Sequence, residues 1–120
     1  MNITERTQNN VTIALVTGEH VITDLNSALD LLAEAAFGRR IKRVAIEKNA
    51  VCEDFFILST GLAGAVLEKF VQYGVKLAIY GNYSRYTSKP LRDFIRESNQ
   101  GTSVFFVETE EEALERLWAV

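Results

Sequence analysis

The feature that most constrains this chain is the alternation of short strand-forming runs with helix-forming segments. Val11-Thr12-Ile13-Ala14-Leu15-Val16-Thr17, Val44-Ala45-Ile46, Lys76-Leu77-Ala78-Ile79-Tyr80-Gly81 and Val104-Phe105-Phe106-Val107 carry the β-branched and aromatic residues of buried strands. A helix-length segment separates each run from the next. Strands joined by helices run parallel and connect through right-handed crossovers, so the pattern predicts an α/β fold with a mainly parallel sheet.

The helices are delimited by their end signals. Asp24 caps a segment with Leu25, Ala28, Leu29, Leu32 and Ala36 at helical spacing, and Gly38 closes it. Cys52 to Leu58 reads as a helical turn, and Ser59 or Thr60 is expected to cap a second helix that runs to Tyr73 and stops at Gly74. Ser88 caps the third, with Pro90 in its first turn and Asn99-Gln100-Gly101 at its end. Thr109 to Glu112 opens the last helix as a capping box, and Leu114, Leu117 and Trp118 pin it to the core.

Ahead of all this, the polar segment Ile3 to Gln8 and the turn Asn9-Asn10 suggest an edge strand paired in a hairpin. The predicted order is β-β-α-β-α-β-α-β-α in a mixed five-stranded sheet. Ile13, Leu15, Val44, Ile46, Leu77, Ile79, Val104 and Phe106 are assigned to one bulky face, and Ala14, Ala45 and Ala78 to the other. Helices are therefore expected chiefly on one face. Something thinner, or a second copy of the chain, would lie over the small residues, and homo-oligomerisation is expected from that face and from the polar first hairpin.

Length and composition bound the function. With 120 residues, 48% hydrophobic and 24% charged, the chain reads as one α/β domain over 1–120. One Cys excludes an internal disulfide, and a net charge of -3 offers no general attraction for nucleic acid. The N-terminus, Met1-Asn2-Ile3-Thr4-Glu5-Arg6, lacks a hydrophobic secretory core, and no apolar run approaches membrane-spanning length, so a cytoplasmic location is expected.

Several segments carry a family resemblance. Glu53-Asp54-Phe55-Phe56, Ser59-Thr60-Gly61-Leu62-Ala63-Gly64, Lys69-Phe70, Leu77-Ala78-Ile79, Tyr86-Thr87-Ser88 and the run from Leu91 to Asn99 resemble the bacterial family called Domain of Unknown Function 4180, over nearly the whole chain. That resemblance implies a fold and no activity. More distantly, Asp54 to Gly61 followed by a helix, a strand ending in Gly81 and the closing Val107 to Leu114 resemble the STAS domain, also called the SpoIIAA-like fold. In anti-sigma antagonists of that fold a serine at this helix start is phosphorylated, which the resemblance carries to Ser59 or, second, to Thr60. Here Phe55 to Leu58 separate Asp54 from Ser59, where the family places the acid directly before the serine.

In a parallel sheet the loops beyond the strand C-termini hold ligands, which gathers His20, Glu47, Lys48, Cys52, Glu53, Asp54, Ser59, Thr60, Asn82, Tyr83, Ser84, Arg85, Tyr86 and Thr87; of these His20, Asp54, Ser59, Thr60, Asn82, Tyr83, Arg85 and Tyr86, together with Gly61, are the candidate contacts. Polar loops also arise simply because their backbone meets water. Ser59-Thr60-Gly61 puts hydroxyls and a glycine at a helix start, where free N–H groups suit an anion; helix–sheet packing accounts for the glycines equally well. It is neither a P-loop nor a dinucleotide fingerprint.

His20 is the one histidine, and nothing beside it in sequence marks it as catalytic; it reads equally as a solvated loop residue. Cys52 has no Cys-His signature and reads as packing. Glu53 and Asp54 fit capping better than any metal motif, and no cofactor fingerprint is present. Arg85, Lys89, Arg92 and Arg96 recur at spacings of four, three and four, which places the helical ones on one side of the third helix, where Asp93 and Glu97 partly neutralise them.

The scarcity of acid-base pairs favours a regulatory or protein-interaction module working through the start of the second helix and the Asn82–Thr87 loop, with a protein partner. The alternatives are a protein binding an anionic small molecule or phosphate ester at the same edge, with His20 as proton carrier, and a nucleic-acid contact through the third helix, which the charge balance disfavours.

Overall fold

The computed structural model describes residues 1–120. Its first two strands, β1 (Asn2–Gln8) and β2 (Val11–Thr17), form the expected hairpin, pairing antiparallel from Asn2 opposite Thr17 to Gln8 opposite Val11. Asn9 and Asn10 turn with φ of 52° and 67°, a left-handed pair that matches strand twist and that asparagine tolerates. The chain then alternates through α1 (Leu25–Leu32, continued by a π-helical turn over Ala33–Gly38), β3 (Arg43–Glu47), α2 (Leu62–Gln72), β4 (Lys76–Tyr80), α3 (Lys89–Gln100), β5 (Val104–Val107) and α4 (Glu110–Trp118).

The five strands lie side by side in chain order, β1-β2-β3-β4-β5, and β2 to β5 are mutually parallel. Because the order never reverses, three right-handed crossovers all step the same way and leave their helices on one face. Accordingly Ala28, Leu31 and Leu32 of α1, Ala63, Val66 and Phe70 of α2 and Leu91 of α3 share one core with the sheet. The opposite face is covered by α4, whose Ala113, Leu114 and Leu117 pack on it.

Two expectations are corrected here. Ala14 pairs with Val44 and Leu15 with Ala45, and residues opposed in a parallel ladder share a face. Ile13 and Leu15 therefore lie with Ala45, Ala78, Phe105 and Val107 under α4, while Ala14 and Val16 face the crossover helices with Val44, Ile46, Leu77 and Ile79. Alternation within a strand divides its residues into two sets without saying which set faces the helices. Nor does a thinner layer or a second copy cover the alanines. Ala45 and Ala78 pair in the middle of the sheet between bulkier flanks, and that trough receives α4. The argument for self-association from an open small-residue face is thereby removed.

The predicted cap residues sit at the starts of α1, α3 and α4 but not α2, and the reciprocal capping box forms at α1 with Ser27, whereas at α4 the Glu112 side chain does not return the Thr109 contact. Asp24 accepts from the Ser27 N–H at 2.8 Å while Ser27 returns the contact, Ser88 caps α3, and Thr109 accepts from Glu112 N–H at 3.1 Å. At α2 the cap position is held by Gly61, with φ +79°, and Ser59 and Thr60 lie one turn earlier. The left-handed geometry there selects glycine over a hydroxyl residue. The far end of α4 is held by Arg43 of β3, which donates to the Leu117 carbonyl at 2.8 Å and to that of Val120.

Asn99, near the end of α3, serves the free edge of the sheet. Its side-chain amide donates to Phe106 O at 3.0 Å and accepts from Phe106 N–H at 2.7 Å, reproducing the pairing a further strand would supply. An edge closed this way offers less template for another chain. Asn99→Ala leaves both backbone groups of a buried residue unpaired, so it is expected to cost about 1–3 kcal/mol, read as a lowered urea midpoint against wild type. An unchanged midpoint would show that water replaces the amide at no cost.

Candidate functional site

The C-terminal ends of β2, β3 and β4 open into a cleft of about 730 Å³. Its walls are stitched together by backbone: Ile22 N–H donates to Ala50 O at 3.0 Å, and Cys52 N–H donates to Ile22 O at 2.9 Å. The loop carrying His20 is thus fixed to the loop carrying Lys48 to Cys52. The remaining wall comes from the end of β4, with Tyr80, Gly81, Asn82 and Arg85.

Lys48 is the unusual residue in this cleft. It directly follows β3 and is the one charged residue in the chain that is buried, with a side chain only 9% exposed. Its ammonium lies 5.0 Å from the Phe56 ring centroid and 4.8 Å from that of Tyr86, and the two rings stack on each other. Such contacts are worth about 0.5–2 kcal/mol apiece, less than a buried ammonium needs. The balance comes from Glu53, whose carboxylate stands 3.6 Å away.

Glu53 also accepts from the Tyr86 hydroxyl at 3.0 Å and pairs with Arg85. Arg85 in turn donates to the Tyr86 oxygen at 3.3 Å, and this hydroxyl, ahead of the Glu53 charge, holds the guanidinium pKa above its ordinary value. The arrangement exists because position 81 is glycine. A Cβ built on Gly81 would fall 2.6 Å from the Lys48 Cβ, so only a residue without one lets the lysine stem cross the end of β4.

Beneath the cleft an aromatic cluster closes the strand ends. Phe55 and Phe56 are buried, and Tyr83 packs against Phe56, Tyr86 and Phe106 while donating its hydroxyl to Ile79 O at 2.8 Å. Burial, and then neighbouring Tyr86, pushes the Tyr83 phenol far above its usual range. Tyr80 is pushed up to about 12 by burial first and then by the carboxylates of Glu110 and Glu47.

A second depression, a groove of about 460 Å³, runs beside the cleft. Phe56 to Ser59 form one wall and Arg85 to Ser88, with Pro90 and Leu91, the other. Ile57 is 49% exposed there.

The sequence-selected residues therefore separate. His20, Asn82 and Arg85 line the cleft, and Ser59, Arg85 and Tyr86 line the groove. Tyr83 belongs mainly to the aromatic plug. Thr60 and Gly61 are structural: the Thr60 hydroxyl donates to backbone carbonyls of Asp54 and Ile57 and accepts from Leu62 N–H, while the exposed Ser59 hydroxyl takes no part in that network. Asp54 is exposed and enters neither cavity through its carboxylate. Asn82 accepts from Ser84 N–H at 2.8 Å, which shapes the loop. Lys48 and Glu53, which lie in the strand-end loops but outside the candidate contacts, and Gly81 join the site.

On α3, Lys89 and Arg96 both pair with Asp93, at 2.6 and 2.9 Å, giving a solvated, internally neutralised face. No group of three or more potential metal ligands is assembled, and no helix is long and apolar enough to cross a membrane.

The family described as a domain of unknown function, DUF4180, matches residues 8–117, from the hairpin through α4. The chain belongs to the Domain of Unknown Function 4180 family. Neither a curated protein nor a solved structure matches it. The family match spans every element that builds the cleft and the groove.

Two outcomes follow from this geometry. Gly81→Ala forces the Lys48 stem aside and is expected to cost about 1–3 kcal/mol in urea unfolding, typical of overpacking. A wild-type midpoint would mean that the stem has room to yield. In alkali, Tyr80 is an acid whose folded pKa of about 12 lies above the unfolded value of 10.0. Its contribution is complete below that unfolded value and is lost as pH rises toward the folded one, so the urea midpoint should fall across that window. A Tyr80→Phe variant should show a smaller fall; an identical one would assign the loss to other groups.

Proposed function

We propose that this chain is a STAS-like regulatory module that binds a partner protein through the groove between Phe56–Ser59 and Arg85–Leu91. One observation carries the reading: two segments that are distant in sequence, the approach to α2 and the loop after β4, form the opposing walls of a single groove. The sequential order of helix-linked parallel strands agrees with the STAS resemblance of the sequence.

The groove suits an extended polypeptide. Ile57 and Leu91 supply apolar surface, hydroxyls of Ser59, Thr87 and Ser88 supply polar contacts, and Arg85 supplies one positive charge for an acidic residue of the partner. Ser59 stands exposed on its rim, and a phosphate there would add about two negative charges opposite that arginine. The modified serine would compete with the partner's acidic group for Arg85. Phosphorylation thereby acts as a release signal.

The test is affinity capture from lysate with wild type, Ser59→Ala, Ser59→Asp and Arg85→Glu, each first shown to be folded by circular dichroism. Ser59→Ala should retain the wild-type set of captured proteins. Ser59→Asp and Arg85→Glu should lose the same members of it. Identical sets from all four proteins would remove both the switch and the groove.

A further inference from the structure

The Lys48 ammonium makes no hydrogen bond to another group of the protein and relies on the water of the cleft. It has three N–H donors, it is shielded by Phe56 and Tyr86, and its one charged neighbour, Glu53 at 3.6 Å, stands beyond hydrogen-bond length. What remains of its exposed surface opens into the cleft, which it lines together with Arg85, Asn82 and His20. For stability alone an apolar side chain of similar size would serve as well, because it avoids the desolvation of a charge.

Glu53 is the opposite case. Its side chain is 54% exposed and Arg85 is 62% exposed, so the pair that holds the carboxylate in place is solvent-screened and weak. Swinging Glu53 into water breaks that weak pair and the Tyr86 hydrogen bond and takes from Lys48 its balancing charge, a loss that an incoming anion makes good. It would leave Lys48 and Arg85 as two cations against Glu47 alone among the fully charged lining residues, with the Tyr86 hydroxyl freed as a further donor.

We propose that the cleft is a binding site for a small oxyanion, the carboxylate or phosphate group of a small molecule, and that Glu53 is an internal carboxylate which the ligand displaces. In the unliganded chain Glu53 occupies the place of the ligand: an oxyanion facing Lys48, Arg85 and Tyr86. The incoming anion takes those donors and gives Lys48 the hydrogen bonds that Glu53 is too distant to supply. The remaining cleft, lined by Asn49, Asn82 and His20, holds the rest of the molecule. This site is separate from the peptide groove, and the two meet only at Arg85 and Tyr86.

The experiment is an amide NMR titration of the full chain with inorganic phosphate and, separately, succinate, at constant ionic strength. Saturable shifts are expected at Lys48, Asn49, Gly81 and Asn82 with at least one probe. The probe that saturates distinguishes a phosphate from a carboxylate ligand. Glu53→Gln keeps the shape but not the charge and should tighten that probe by roughly fivefold or more, the worth of one displaced ion pair.

Glu115→Gln makes the same change in net charge on α4, across the sheet, and should leave the affinity unchanged. Arg85→Gln, at an exposed position, should weaken binding even if a Lys48 variant fails to fold. Absence of saturation with both probes, or tightening in Glu53→Gln no greater than in Glu115→Gln, would overturn the proposal. None of these outcomes depends on whether a partner protein uses the Ser59 groove.

Discussion

Four parallel strands laid down in chain order force every crossover to step in the same direction, and the rest of the molecule answers to that constraint. Right-handed connections then place α1, α2 and α3 on one side and leave the other side of the sheet bare. A single remaining helix has to cover it. Ala45 and Ala78 lower the centre of that face so that Ala113, Leu114 and Leu117 of α4 can reach it, and Arg43 ties the helix's last carbonyls to β3. The same order leaves β5 as an open edge, which Asn99 closes from α3.

Sequential order also determines where a site can be. In sheets whose strand order reverses, helices part at the reversal and open a crevice for ligands. This sheet has no reversal. Its depressions are built instead from the loops above the strand ends, over a floor made solid by Phe55, Phe56 and Tyr83. Polar groups thus gather at a rim above an aromatic plug rather than inside a deep pocket, and the cleft and groove are neighbours on that rim.

Most of this architecture was legible in the sequence because local signals agreed with one another. Asp24, Ser88, Pro90 and Thr109 mark helix starts by hydrogen-bonding chemistry that tertiary structure left intact, and Asn9-Asn10 announces its turn by the conformations asparagine tolerates. The faces of β2 were not legible. Ile13 and Ala14 define two sets, and only the ladder pairing of Ala14 with Val44 decides which set meets the crossover helices. Position 61 misled for a different reason: Ser59-Thr60 has the composition of a cap, but the 3₁₀ turn before α2 delivers a left-handed residue to that place.

The cleft was half legible. Strand-end loops contain Lys48 as well as His20, Asn82 and Arg85, but nothing in sequence separates it from the ordinary solvated lysine after a strand. The one sequence signal that bears on it is Gly81, which by itself reads as the end of a strand; its meaning as the space for a lysine stem exists only in three dimensions.

Arg85 connects the cleft and the groove. It pairs with Glu53 on the cleft side and stands opposite Ser59 on the groove side, and one guanidinium cannot satisfy an anion in each position equally. If an oxyanion displaces Glu53 and recruits Arg85 into the cleft, the groove loses its only positive charge, and affinity for an acidic partner segment falls. If the partner's acid or a phosphate on Ser59 draws Arg85 into the groove, the cleft keeps Lys48 alone and its anion affinity falls. Linkage makes the two effects equal in size. A small molecule and a partner protein would therefore oppose one another through a single side chain, with no change in the sheet and helices that carry it.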